Sequence, residues 1–163
     1  MLKEDIYSQN KINARLESIN ESKLKEKFDV IIMRYVLNYN SFDVQFDILN
    51  KVKNVLKKEG IFFLHHCGSV NKEHRDKLNK LFSTEIVSKK LVRINPYWST
   101  WKEMLLLLKK AGFESKILEH YQIPVGDLYK KRNGLNDAEE KGLHDYLGKY
   151  DFIDYTIFEN IIK

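Results

Sequence analysis

FDVIIMRYVLNY, Phe28 to Tyr39, is an apolar, β-branched run that passes into a polar tail. Its centre, Val30-Ile31-Ile32-Met33, is flanked by Asp29 and Arg34, is too short to cross a membrane, and shows no alternation of apolar with polar side chains. That signature predicts a strand covered on both faces, the kind found in parallel sheets with helices on either side. From Ser41 the period changes. Val44, Ile48, Leu49, Val52, Val55 and Leu56 recur at three and four, the spacing of an amphipathic helix started by Ser41 or Asp43 and stopped by Gly60 after a lysine-rich last turn. Ile61-Phe62-Phe63-Leu64 follows as a second apolar strand, expected over residues 61–66. A strand, a helix and a strand of this length predict a right-handed parallel crossover, so the fold class is α/β.

Outward from this unit the signals are of the same two kinds. Upstream, Ile12, Ala14 and Leu16 alternate with Lys11, Asn13 and Arg15, which predicts a half-covered strand over Lys11–Leu16. Downstream, His74 to Phe82 reads as a helix, and Thr100-Trp101-Lys102-Glu103 is a capping box opening a helix from Trp101 to Ala111 that Gly112 ends. Phe113 to Ile123 reads as a strand, Asn136 to Leu147 as a helix and residues 154–162 as a last strand with Ile157 and Ile161 on one face. There is no internal repeat and no low-complexity linker.

Composition narrows the class further. The 163 residues fit one domain, and 43% apolar content with 12% aromatics is ample for a core. The net charge of +5 comes from 28 Lys and Arg against 23 Asp and Glu, interleaved with apolar residues at helical spacing, which suits a solvated helical surface better than a nucleic-acid footprint. The aromatic residues lie within apolar runs instead of alternating with Lys and Arg, so stacking on RNA bases is not expected. Nothing approaches a membrane span or a signal peptide, and Cys67 is the single cysteine, so the expectation is a cytoplasmic protein without an intrachain disulfide.

Three pieces, FDVIIMRYVLNY, then LKKEGIFFL at Leu56 to Leu64, then LLLLKKAGFES at Leu105 to Ser115, together resemble the later part of class I S-adenosylmethionine-dependent methyltransferases over nearly the whole chain. The resemblance implies a Rossmann-like sheet, mostly parallel with an antiparallel C-terminal strand, in the order third, second, first, fourth, fifth, seventh, sixth. FDVIIMRYVLNY would be the fourth strand, and Lys58 and Glu59 stand where the family's turn into the fifth has Pro and Gly. It also implies S-adenosylmethionine as cofactor, held in part by a glycine-rich loop after the first strand. Here the sequence departs, because its first glycine is Gly60. The reading is therefore of an incomplete, truncated domain over residues 1–163 whose strand Val30–Met33 presents an open edge, a pairing hazard unless covered. The expected covers are a complementing N-terminal half, a second copy in a homo-oligomer, or the Lys11–Leu16 segment.

By the same resemblance Glu17, Ser18 and Ile19 would meet the adenine end of the cofactor, and Arg34 and Tyr35, at the carboxyl end of the buried strand, would line it. Open α/β sheets place ligands at that end. Asn38, Tyr39, Tyr97 and Trp98 would face the acceptor, with lid or core packing as the alternative for Trp98. Tyr129 to Arg132 is a basic loop. His65-His66-Cys67 tempts a metal reading, but adjacent strand residues point to opposite faces, so only His65 and Cys67 share a side and no metal site is expected. His65 is the candidate general base, since imidazole titrates near neutrality. Two functions follow: a methyltransferase half that binds a small-molecule acceptor, inactive as an isolated chain, or a catalytically inactive methyltransferase-like subunit that pairs through its open sheet edge.

Overall fold

The apolar run does form a strand, β1 (Phe28–Arg34), and it pairs in parallel with β2 (Leu56–Gly68). The computed structural model describes residues 27–83, 96–125 and 136–163; the strand expected at Lys11–Leu16 lies outside them. Between β1 and β2 come one tight helical turn, Leu37–Tyr39, and helix α1 (Phe42–Val55), entered at Ser41. Gly60 does not stop this helix. The chain turns extended at Leu56, which is fully buried and pairs with Phe28, so packing of that side chain ends the helix before Gly60 is reached. β2 is longer than residues 61–66 for the same reason. The register then jumps from Phe28↔Leu56 to Val30↔Ile61, and Gly60 sits where β2 closes back on β1. An added Cβ there would meet Leu56 Cδ1 at 2.8 Å and the Asp29 carbonyl oxygen at 2.9 Å, so close approach explains this glycine.

Beyond β2 lie α2 (Lys72–Ser83), α3 (Trp101–Ala111), β3 (Phe113–Pro124), α4 (Asp137–Leu147) and β4 (Phe152–Ile162). The capping box of α3 is formed: the Glu103 amide donates to Thr100 Oγ1 at 3.2 Å and the Thr100 amide donates to Glu103 Oε2 at 2.8 Å. Gly112 ends the helix with φ of 89°, the left-handed conformation that favours glycine. Asn136 makes a second capping box with Glu139 and starts α4.

The sheet order is β1-β2-β4-β3, with β4 antiparallel to both neighbours. That is the order implied by the resemblance for the fourth, fifth, seventh and sixth strands. One face carries the main core, in which Met33, Phe62, Leu64 and Phe158 pack against α1 and α3 through Leu49 and Leu108. On the other face a second core gathers Cys67, Tyr155 and Ile153 under Leu78 of α2 and Leu147 of α4. That cover does not reach β1, where Val30 is 52% and Ile32 65% exposed. The strand expected to be covered on both faces is thus open on one, and β1 is one of the two outer strands among the described residues, β3 being the other. No helix among them is long and apolar enough to cross a membrane.

Candidate functional site

Because β1 and β2 run parallel, their carboxyl ends share one edge of the sheet, and Arg34-Tyr35 leaves it there. Tyr35 has φ of 57°, the one positive value among the described non-glycine residues. An L-residue held there costs on the order of 1 kcal/mol, and such outliers cluster at working sites. The turn keeps the Tyr35 amide on the His65 carbonyl oxygen (3.3 Å) while bringing its ring back beside the sheet. The ring lies edge-on to Tyr155 (5.5 Å, 84°) and to His65 (6.2 Å, 74°), and Tyr121 stacks on Tyr155 (5.5 Å, 6°). Arg34 holds its guanidinium 5.2 Å from the Tyr35 ring centre.

His65 and His66 behave oppositely, as adjacent strand residues should. His65 points to the side of Tyr35. Partial burial, then the nearby Arg34 charge, push its imidazole below the usual range, with Glu119 opposing in part. It is an uncharged base at neutral pH. His66 points into the main core, donates from Nε2 to the Ser99 carbonyl oxygen at 2.9 Å, and is pushed by burial down to about 4. Cys67 shares the side of His65 but is buried in the second core. Among the described residues no three His, Cys, Asp or Glu side chains gather where a metal ion would be held.

The four residues expected to face the acceptor come together although the chain separates them. The Tyr97 amide donates to the Asn38 carbonyl oxygen (3.1 Å), Tyr39 meets Trp98 edge-on (6.5 Å), and Phe42 meets Tyr97 (5.2 Å). Tyr39 is part-exposed, whereas Trp98 is buried in the second core, so its ring packs the wall from behind. Residues that sequence reasoning missed hold this strap. Gln45 Nε2 donates to the Tyr97 and Asn40 carbonyl oxygens (2.8 and 3.0 Å), and the Trp98 amide donates to Asn79 Oδ1 (3.1 Å). Arg75 donates to the Tyr97 hydroxyl (2.9 Å) and forms an ion pair with Glu103. Each of these side chains sits on a helix as an ordinary polar residue, and only the fold marks it. Glu17, Ser18, Ile19 and the basic loop at Tyr129 to Arg132 lie outside the described residues.

Comparison with known proteins adds three findings. A family model for the methyltransferase domain matches residues 6–112. No curated protein matches the sequence. Among solved structures the chain is similar in fold to the YcgJ protein of Bacillus subtilis (TM-score 0.69, 15% identity, covering 90% of this chain and 69% of that one). It is also similar to a methyltransferase-like protein of Bacillus halodurans (TM-score 0.61, 14% identity, 88% and 74%). A third is a Haemonchus contortus N-methyltransferase in complex with phosphomonomethylethanolamine and S-adenosylhomocysteine (TM-score 0.52, 11% identity, 89% and 36%).

Proposed function

The chain belongs to the methyltransferase domain family, and on that footing we propose that it is the acceptor-binding part of an S-adenosylmethionine-dependent methyltransferase acting on a small molecule. The observation that carries this reading is the turn that follows the carboxyl end of β1, where the Tyr97 amide is bonded to the carbonyl oxygen of buried Asn38 and Tyr39 meets Trp98. The solved relative with bound S-adenosylhomocysteine supports the choice of cofactor.

The residues at this edge fit one side of that cofactor. Arg34 is exposed and offers N–H donors to a carboxylate, while Tyr35 and Val36 offer aromatic and apolar surface to the adenosine. The glycine-rich turn has no counterpart before Gly60, and we assign that wall to a complementing N-terminal half. When bound, the cofactor supplies a methyl group made electrophilic by its sulfonium. This chain's part is to hold the acceptor. The strap carrying Tyr97 and the turn carrying Asn38 and Tyr39 orient it, the Arg75, Gln45 and Asn79 bonds keep the strap in place, and neutral His65 accepts the proton of the attacking group. Orientation of this kind supplies much of the rate, on the order of several kcal/mol of barrier, when little chemistry is asked of the protein.

A second reading rests on the exposed Val30 and Ile32: a catalytically inactive subunit that pairs through the open edge of β1. Calorimetry with S-adenosylhomocysteine separates the two. Binding that appears only after a glycine-loop half is added supports the transferase. No binding with or without that half, together with a stable complex with a full-length methyltransferase, supports the subunit, and tight binding by the chain alone contradicts both.

A further inference from the structure

We infer that the outer surface of α3 docks on an anionic lipid bilayer, with Leu106 entering the headgroup boundary and Lys102, Lys109 and Lys110 meeting the lipid phosphates. The inference goes beyond the transferase reading and does not depend on it. Lys102, Leu106, Lys109 and Lys110 are spaced four, three and one apart, which puts them on one side of the helix, opposite the buried Met104, Leu107, Leu108 and Ala111. Leu106 is 67% exposed, the most of any large apolar side chain among the described residues. The wall assigned to an N-terminal half does not explain this. α3 packs on β3 and β4 on the covered face of the sheet, whereas β1, where that half would join, is the outer strand at the opposite end.

The charges on α3 are of one available sign. Its one acidic residue, Glu103, is held by Arg75 and by the Thr100 cap, which leaves the three lysines as the exposed charge of the helix. Lys109 and Lys110 suit the negative end of the helix dipole, but Lys102 stands in the first turn, where a cation is disfavoured, so the helix's own electrostatics do not account for it. Two of the cations lie over part-exposed rings. Lys102 Nζ is 5.4 Å from the Trp101 ring centre and Lys110 Nζ 4.7 Å from that of Phe46 on α1, with Leu106 between them along the helix. On the other flank β3 adds exposed Ile117, which is opposite Phe158, and exposed Leu118, where the register breaks. An apolar centre flanked by aromatic rings, with lysines reaching outward on long stems, is the composition of a helix that lies in a lipid interface. A nucleic-acid backbone would match the lysines and leave Leu106 without a partner, because it presents phosphate and sugar.

The test floats the full chain with phosphatidylcholine vesicles made with and without phosphatidylglycerol, which needs no turnover. Binding is expected to the anionic vesicles alone and should fall as salt is raised. Replacing Lys102 and Lys109 together by Gln should weaken it about ten- to thirtyfold, the worth of two lysines at an anionic surface. Leu106→Ser should weaken it about three- to tenfold, as expected for one partly inserted leucine. These side chains are exposed, so the variants keep the fold, which urea unfolding checks. Ile32→Ser, on the open face at the other end of the sheet, should bind as the parent does. Equal binding to neutral vesicles, or parent-like binding by Leu106→Ser, overturns the inference. So does loss of binding in Ile32→Ser, which would put the lipid on the open face of β1. Capture by polyphosphate as tight as by vesicles and indifferent to Leu106→Ser would reduce the surface to a patch of charge and overturn it as well.

Discussion

Neighbouring residues of β1 live in different surroundings. Met33 points toward α1 and α3 and joins a core with Phe62, Leu64 and Phe158, while Ile32, one residue earlier and no less apolar, is 65% exposed. On β2 the same contrast separates Phe62, which is fully buried, from the half-buried Phe63. Side-chain chemistry does not explain it, since both faces are built of Val, Ile, Met and Phe. What differs is the cover, because α2 and α4 reach only the carboxyl end of the second face. A continuous apolar run therefore reports how many faces of a strand suit burial, and a second element must still arrive to bury them.

The largest effect should come from cutting the covered face. Phe62→Ala removes a fully buried ring between Phe113 and the α3 core and is expected to lower stability by about 3–5 kcal/mol in urea unfolding. Val30→Ala on the open face should change it by no more than about 0.5 kcal/mol. Equal costs would break the comparison.

Next in size is a pH effect that separates His66 from His65. Burial holds His66 down to about 4, below the roughly 6.5 of an unfolded chain, so the unfolded state takes up the proton first as pH falls. Its contribution is complete above about pH 6.5 and is lost on acidification toward about pH 4, to an extent of up to about 3 kcal/mol. Urea unfolding of the chain and of His66→Gln across that window should show the slope in the first and a flatter one in the second. His65→Gln should leave the slope close to that of the chain, because His65 lies on the open face and is displaced in the same direction with less burial behind it.

What the sequence disclosed and what it hid divide along the same line. The capping box at Thr100 and Glu103, the glycine at Gly112 and the three-and-four spacing of Val44, Ile48, Leu49 and Val52 are local signals, and the elements they mark stand where expected. Gly60 misled because the end of α1 is set by Leu56 entering the core, which is a tertiary event. The site shows the same split. Asn38, Tyr39, Tyr97 and Trp98 were named through a family likeness, but Arg75, Gln45 and Asn79, which bind the strap together, have no spacing that distinguishes them from solvated helix residues. Tyr121 and Tyr155 lie in stretches read simply as strand, and their stacking depends on the register of β3 with β4. The candidate contacts of Glu17, Ser18 and Ile19 fall outside the described residues.

A smaller loss belongs to a local signal on the covered side. Thr100→Ala removes the hydroxyl that accepts from the Glu103 amide and should cost about 1 kcal/mol in urea unfolding. Glu103 keeps its ion pair with Arg75, so the strap at Tyr97 stays anchored. Ring proton shifts of Tyr97 should therefore move little in Thr100→Ala and more in Arg75→Ala. Equal shifts in both would mean that the helix cap and the strap are one unit.

The smallest change in stability is expected at the residue that defines the open face. Ile32→Lys places a charge on a side chain that is 65% exposed and leaves the β1–β2 backbone pairing intact, so urea unfolding should move by no more than about 0.5 kcal/mol. Its effect should appear in association. An outer strand with exposed Val30 and Ile32 suits edge pairing, and an added lysine is how edge strands avoid it, since pairing would bury the charge. Sedimentation of the chain at increasing concentration should show self-association that Ile32→Lys reduces. A variant as associated as the parent would mean that copies meet elsewhere, and one unfolded by the lysine would mean that the face is covered, with Ile32 as much part of a core as Met33.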